Sequence, residues 1–226
     1  MRLDRERVVR TALRQLDAHG LDGLTLRGIA RELDVQAPAL YWHFKSKAEL
    51  LDEMATTMLR DLLAAEEPSA VASWQETLTG SARGLRRMML AHRDGAKVFS
   101  GTHLTDGSIY ASQEANLRRL TEAGLALSDA MQGFHAVYSY TVGFAIEEQA
   151  VHPRPGRRDE RYDPERRDAR FKDADLPLAK AAGRVMFTDF DTRFESGLRL
   201  IIAGIEHTAG SSPRDGAGGE PPVDAP

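Results

Sequence analysis

The 226-residue chain contains no cysteine. That excludes a disulfide framework and any thiolate metal site. No apolar run approaches the ~20 residues a bilayer-spanning helix needs. The charged N-terminus lacks the apolar stretch of a signal peptide. The chain therefore reads as cytoplasmic, with no membrane partner. A Gly-rich phosphate loop, a G-x-S-x-G elbow and an H-E-x-x-H pair are all missing, so the usual signatures of nucleotide, acyl-transfer and zinc chemistry are absent. Seven histidines and many acids remain, but in no arrangement that suggests catalysis. The expectation is a non-enzyme with no cofactor and no bound metal. Strand patterns are few and no internal repeat is evident, which points to an all-α chain.

The most informative stretch is residues 25–47, TLRGIARELDVQAPALYWHFKSK. Thr25 is a good N-cap, since its hydroxyl can accept from an orphan amide. Leu26, Ile29, Ala30 and Leu33 share one helical face, with Arg27, Arg31 and Glu32 opposite. Asp34-Val35-Gln36 is short and suits a turn, Val35 plugging the angle between helices. Pro38 suits the first turn of a second helix, where no amide bond is lost. Leu40 and Phe44 lie four apart and should face the core. Tyr41, Trp42 and His43 then point outward beside Lys45 and Lys47. Helix, tight turn and short aromatic-tipped helix make a helix-turn-helix, whose second helix enters the major groove. Rings on sugars and thymine methyls, and lysines on phosphates, would hold a polyanion. The competing reading buries Tyr41 and Trp42 as core.

Charge agrees with that placement. The chain has 30 Lys/Arg and 34 Asp/Glu, a net −4. Residues 1–47 hold nine basic and six acidic side chains, a net +3, which leaves −7 on the rest. A basic head on an acidic body suits a protein that offers one end to DNA.

Elsewhere helices dominate. Asp4 caps a first helix bearing Val8, Val9, Ala12, Leu13 and Leu16, closed by Gly20. Ser46-Lys47-Ala48-Glu49 and Ser73-Trp74-Gln75-Glu76 read as capping boxes. Glu66-Glu67-Pro68-Ser69 breaks the helix between them. A short apolar turn follows His92-Arg93-Asp94-Gly95 and runs to Phe99. Helices are expected over 109–123, ended by Gly124, over 128–150 and over 189–207, giving about nine or ten in all. His92 and His135 fall in helices, as hydrogen-bonded core histidines. Residues 153–175, dense in mixed charge, read as a flexible loop, and 209–226 as a disordered tail. The expected organisation is a helix-turn-helix domain over 1–47, a ligand-binding and dimerisation domain over 48–208, and the tail. Phe190, Phe194, Leu198, Ile201, Ile202 and Ile205 give the last helix a wide apolar face. It also carries Gly197, Ala203 and Gly204, and the 128–150 helix carries Gly133, Ala136, Ser139 and Gly143. Such small residues let a partner helix approach, so these two helices from two chains would build a four-helix dimer interface.

From residue 3 to about 207 the chain resembles the tetracycline-repressor (TetR) family. LDRERV, GLTLRGIARELDVQAPALYWHFKSKAELLD, SWQE, AHRDGAKV at 91–98 and VGFAIEEQ at 142–149 occur in the family's order and spacing. The resemblance implies that Arg27 contacts bases and phosphate, that Thr25 and Lys47 clamp phosphates, and that Gln36, Ala37, Pro38, Ala39, Tyr41, Trp42 and His43 span the reading face. The family carries glutamine at Ala37 and threonine at Ala39, so a tetracycline operator is not the expected target. In the pocket, Phe99 stands where the family has a metal-binding histidine. Leu63 replaces another histidine, Ser81 an asparagine, Leu85 a phenylalanine and Asn116 a glutamine. Thr102 and the acidic Glu147 survive, and His103 lies close in sequence to the lost ligand without restoring the family's site. One carboxylate without its histidine is a poor magnesium site. With Phe134 and Tyr138 this implies an apolar, aromatic cavity. The implied function is a repressor that binds a palindromic duplex operator as a homodimer. A small hydrophobic or aromatic inducer, an antibiotic or related metabolite, would release it. The segment 96–103, packed near the start of the 48–63 helix, would carry the motion. The alternative is a helical ligand-binding or interaction protein without specific DNA binding.

Overall fold

A computed structural model describes residues 3–65, 73–107, 109–154, 156–170 and 175–211, with side chains to 208. Among these residues the fold is entirely helical. Its eleven α-helices slightly exceed the nine or ten expected.

The head comprises α1 (Arg5–Gly23), α2 (Leu26–Glu32) and α3 (Ala37–Tyr41). Asp4 caps α1 through the Arg7 amide at 2.8 Å. Gly20 breaks the helix at φ +77°, a left-handed conformation that costs glycine least. Thr25 caps α2, its Oγ1 accepting from the Gly28 amide at 3.0 Å. Asp34 makes the turn at φ +53°, and Val35 packs half-buried against the core. Leu40 and Phe44 are fully buried. Each such side chain contributes ~1.5–3 kcal/mol through burial.

The body begins with α4 (Lys47–Ala65), α5 (Trp74–Leu90) and the short α6 (Gly95–Phe99). The breaker at 66–69 lies outside the described residues. The capping box at Ser73 forms as expected. The one at Ser46 is displaced by a residue: Ser46 accepts from the Glu49 amide, but the Glu49 carboxylate accepts from the Lys45 amide. Next come α7 (Ile109–Glu122), the long α8 (Leu127–Val151) and α11 (Phe190–Ser211). Two cores result. One joins the head to α4, α6 and Val142 and Ala145 of α8, crossing the expected boundary at residue 47. The other lies among α5, α7, α8 and α11.

The segment expected to be a loop carries structure. A 3-10 turn spans Glu160–Tyr162, and α9 spans Pro164–Ala169. Local polar bonds substitute for the apolar burial the segment lacks. Asp163 caps α9, and Asp168 accepts from Arg184 at 2.9 Å. Residues 155 and 171–174 lie outside the described set. The helix α10 (Pro177–Met186) was not foreseen. In a single chain it leaves Leu178, Val185 and Met186 exposed. Most of the tail, 212–226, also lies outside the described residues.

Candidate functional site

At the head, α3 is only five residues long, and Trp42 and His43 follow it in the turn toward Phe44. Anchoring therefore comes from outside the helix. Phe44 sits in the core while the Arg5 guanidinium lies 4.3 Å from its ring centroid. Arg5 also donates to the His43 carbonyl and to Glu49 of α4 at 3.2 Å. So fixed, the end of α3 turns Trp42 and Tyr41 to solvent, 89% and 54% exposed. The reading that buried them as core is excluded by these positions. Gln36, Pro38, Thr25, Arg27 and Lys47 are exposed, and Ala37, Ala39 and His43 are half-buried. The capping Thr25 hydroxyl still has a proton to donate. The Lys47 ammonium spends one of its three donors on the Leu21 carbonyl, at 3.0 Å, leaving others for an anion.

In the body, Ser81 and Leu85 of α5 and Phe134 and Tyr138 of α8 meet around a cavity of about 30 Å³. Leu78, Ala82, Val137 and Thr141 complete its lining. Burial raises the Tyr138 hydroxyl above its ordinary pKa, so it stays protonated. Four of the ten expected ligand residues thus come together. Phe99 is their neighbour, 4% exposed, its ring centroid 6.4 Å from that of Tyr138. Leu63, Asn116, Thr102, His103 and Glu147 do not line this cavity. The Thr102 hydroxyl donates to the Phe99 carbonyl at 2.8 Å. His103 is exposed, its amide donating to Asp52 of α4. Glu147 is exposed on α8. The family's metal does not fit this arrangement: an apolar ring occupies the histidine position. No three His, Asp or Glu side chains converge among the described residues.

Beyond residue 103 the segment after α6 is also tied to α4, further along that helix than its start. The Thr105 amide donates to Thr56 at 3.0 Å, and Asp106 pairs with Arg60. The two expected core histidines are corrected. His92 lies in the turn past the C-cap of α5 and not in a helix, half-buried, with Nδ1 3.1 Å from the Asp17 carboxylate of α1. His135 is exposed on α8 and stacks on Tyr138.

Sequence reasoning missed the junction between head and body. Asp94, in the left-handed region at φ +56°, accepts from the Leu21 amide at 3.0 Å. Arg93 and Arg154 both donate to the Ala18 carbonyl. A crevice of about 530 Å³ opens here, between Asp17, the His92–Arg93 turn and the end of α8. The only signal in the sequence was Gly20 and Gly95, both read as punctuation.

Known proteins match these features along the chain. Residues 8–54 match the family "Bacterial regulatory proteins, tetR family". Residues 67–209 match "Tetracyclin repressor-like, C-terminal domain". The class C tetracycline repressor of Escherichia coli is 39% identical over 208 residues, covering 91% of each chain. A possible TetR family transcriptional regulator from Streptomyces coelicolor A3(2) superposes with a TM-score of 0.79 at 38% identity, covering 91% of this chain and all of that one. The S. coelicolor TetR family protein ActR, in complex with actinorhodin, gives 0.77 at 29% identity, covering 93% of this chain and all of that one. The chain belongs to the tetR family of bacterial regulatory proteins: it is a ligand-responsive, DNA-binding repressor and not an enzyme.

Proposed function

We propose that two copies of the chain pair through α8 and α11 and seat their α3 helices in successive major grooves of an inverted-repeat operator. They let go when an apolar, aromatic molecule enters between α5 and α8. The observation that carries the reading is the exposed Tyr41–Trp42 pair on a fixed, lysine-flanked head. Phosphate contacts would come from Thr25 and Lys47, base contacts from Arg27, Gln36, Tyr41, Trp42 and His43, and close approach at Ala37, Pro38 and Ala39.

The small residues on the long helices divide into two groups. A Cβ at Gly197 would sit 2.2 Å from the Tyr140 hydroxyl, and one at Gly133 3.1 Å from Ile205. Those glycines serve packing within the chain. Gly143 and Gly204 have open space before them, and Ala136, Ser139, Leu200 and Ala203 are exposed beside them. Apolar and small faces left open on a single chain suit a partner helix. Glu147 lies on the same exposed face of α8.

A drug-sized ligand occupies ~300–1,000 Å³. Against a cavity of about 30 Å³, binding requires α5, α6 and α8 to separate, with Phe99 yielding first. Leu63, Thr102, His103 and Asn116 would then border the enlarged space. The occupant implied by this lining is polycyclic and aromatic, like the actinorhodin bound by ActR, and needs no metal. A footprint on DNA upstream of the chain's own gene, repeated with actinorhodin, tests this. The expected result is a protected inverted repeat that the ligand erases. Protection spread evenly over the duplex would favour the adaptor alternative. A footprint that survives actinorhodin but yields to a metal-chelated tetracycline would overturn the ligand class.

A further inference from the structure

The side chain of Gln149 is 8% exposed and belongs to neither the ligand cavity nor the reading face. Its Oε1 accepts from the Ala96 amide at 2.9 Å. Its Nε2 donates to the Met89 carbonyl at 3.0 Å and the His92 carbonyl at 2.8 Å. The last carbonyls of α5 and the first amides of α6 have no partners within their own helices. One amide from α8 therefore satisfies both sides of the α5–α6 turn. A flipped amide would set an oxygen against two carbonyls, so the network fixes its orientation. The turn has no slack: a Cβ at Gly95 would lie 2.2 Å from the Met89 carbonyl oxygen.

The other side of this turn grips the head. Asp94 accepts from the Leu21 amide, the Arg93 amide donates to Asp17, and the Arg93 guanidinium donates to the Ala18 carbonyl. A Cβ at Gly20 would stand 2.9 Å from both Arg93 Nε and Asp94 Oδ2. The break in α1 and the left-handed turn thus fit face to face. Along α8, Thr141, Ala145 and Gln149 are buried at four-residue spacing. Thr141 lines the ligand cavity. Gln149 is two turns further, about 12 Å along the axis.

We infer that Gln149 is the positioning residue through which α8 sets the α5–α6 turn, and that this turn passes displacement of α8 directly to the end of α1. The path bypasses α4. Its start and end lie on different elements, and each link is a hydrogen bond of 2.8–3.1 Å. A ligand that shifts α8 by part of an ångström must break Gln149 from the turn or carry the turn, and hence the head, with it. The inference rests on the repressor reading for its consequence, but the linkage is measurable without DNA.

The test compares Gln149→Met, close in size and without the polar bonds, with Asp94→Ala at the far side of the turn, and with the double variant. Amide hydrogen exchange of the full chain is read first. In Gln149→Met the Leu21 amide, in the head, should exchange roughly tenfold faster, while the amides of α2 keep their wild-type rates. Duplex affinity is read next, on the site that wild-type protein selects from random DNA. Each single variant should bind about tenfold more weakly, and the double variant about as weakly as either single. An unchanged Leu21 rate, or single effects that multiply, overturns the relay. Should Gln149→Met fail to fold, Asp94→Ala runs the path in reverse. The Ala96 amide, held by Gln149, must then exchange faster, and a wild-type rate there also overturns the inference. A wild-type chain that selects no duplex would instead sink the repressor reading and leave the exchange result standing.

Discussion

Head and body differ in how ready they are. The head carries its proposed reading face in place: Phe44 is buried, Arg5 is stapled to α4, and Trp42 stands in solvent. The body holds its proposed ligand cavity nearly shut at about 30 Å³. A repressor needs that asymmetry. An effector can shift an equilibrium only by binding one state better than another. A cavity that must open to be filled ties occupancy to a changed body, while the proposed reading face already stands in solvent. The difference also explains why the two parts answer differently to substitution.

The largest effect is expected from Phe44→Ala. Removing a fully buried ring on which Arg5 stacks should cost ~3–5 kcal/mol, read by thermal or urea unfolding, and duplex binding should be lost with it. If stability falls while duplex affinity holds, α3 does not depend on the head core as described. Next is the double change Trp42→Ala with Lys47→Ala. Exposed residues hold little of the fold, so unfolding should move by no more than ~0.5 kcal/mol. Duplex affinity should drop by more than tenfold, and the log–log salt slope should shrink by about 0.9 for the lost phosphate contact. Intact binding would place the reading face elsewhere.

The body answers in the opposite sense. Ala82→Phe fills the cavity between α5 and α8. Overpacking should cost ~1–3 kcal/mol, yet the variant should keep its operator and lose its response to ligand. A variant that still releases DNA on ligand addition would show that the ligand sits elsewhere. The smallest effect concerns the junction. Partial burial raises the Asp94 pKa, but the Leu21 amide and the Lys97 ammonium outweigh it and hold the carboxyl below its ordinary 3.8. Because the folded value is depressed, the stabilisation is complete above that ordinary value and lost as pH falls through the lower, folded one. Thermal midpoints of wild type and Asp94→Asn should therefore differ by a constant amount between about pH 5 and pH 7 and converge below about pH 4. Convergence near pH 6 would point to a group other than Asp94.

The same asymmetry governs what the residues alone could tell. The head is encoded locally. Thr25, Asp34, Pro38 and the Leu40–Phe44 spacing each act within one turn, so their roles followed from residue type. The cavity depends on how α5 and α8 cross. Ser81, Leu85, Phe134 and Tyr138 were identified by resemblance, and their meeting comes from packing that no local pattern specifies. Glu147 and His135 occupy the outer face of α8, a fact that helical spacing could have shown had the inner face been known. The mixed-charge stretch after Pro153 looked structureless because it buries little. It holds its turns with carboxylate caps and arginine bonds instead. The junction was least visible, since it uses backbone carbonyls, a left-handed aspartate and a glutamine 53 to 60 residues from the groups it holds.

The most direct test of the account selects duplexes for the full chain from a random-sequence library and then measures the mass of the complex on the winning site. The account predicts an inverted repeat with half-site centres about 10 base pairs apart and two chains bound per duplex. A library that yields no enriched sequence, or a single chain bound to an asymmetric site, would contradict it.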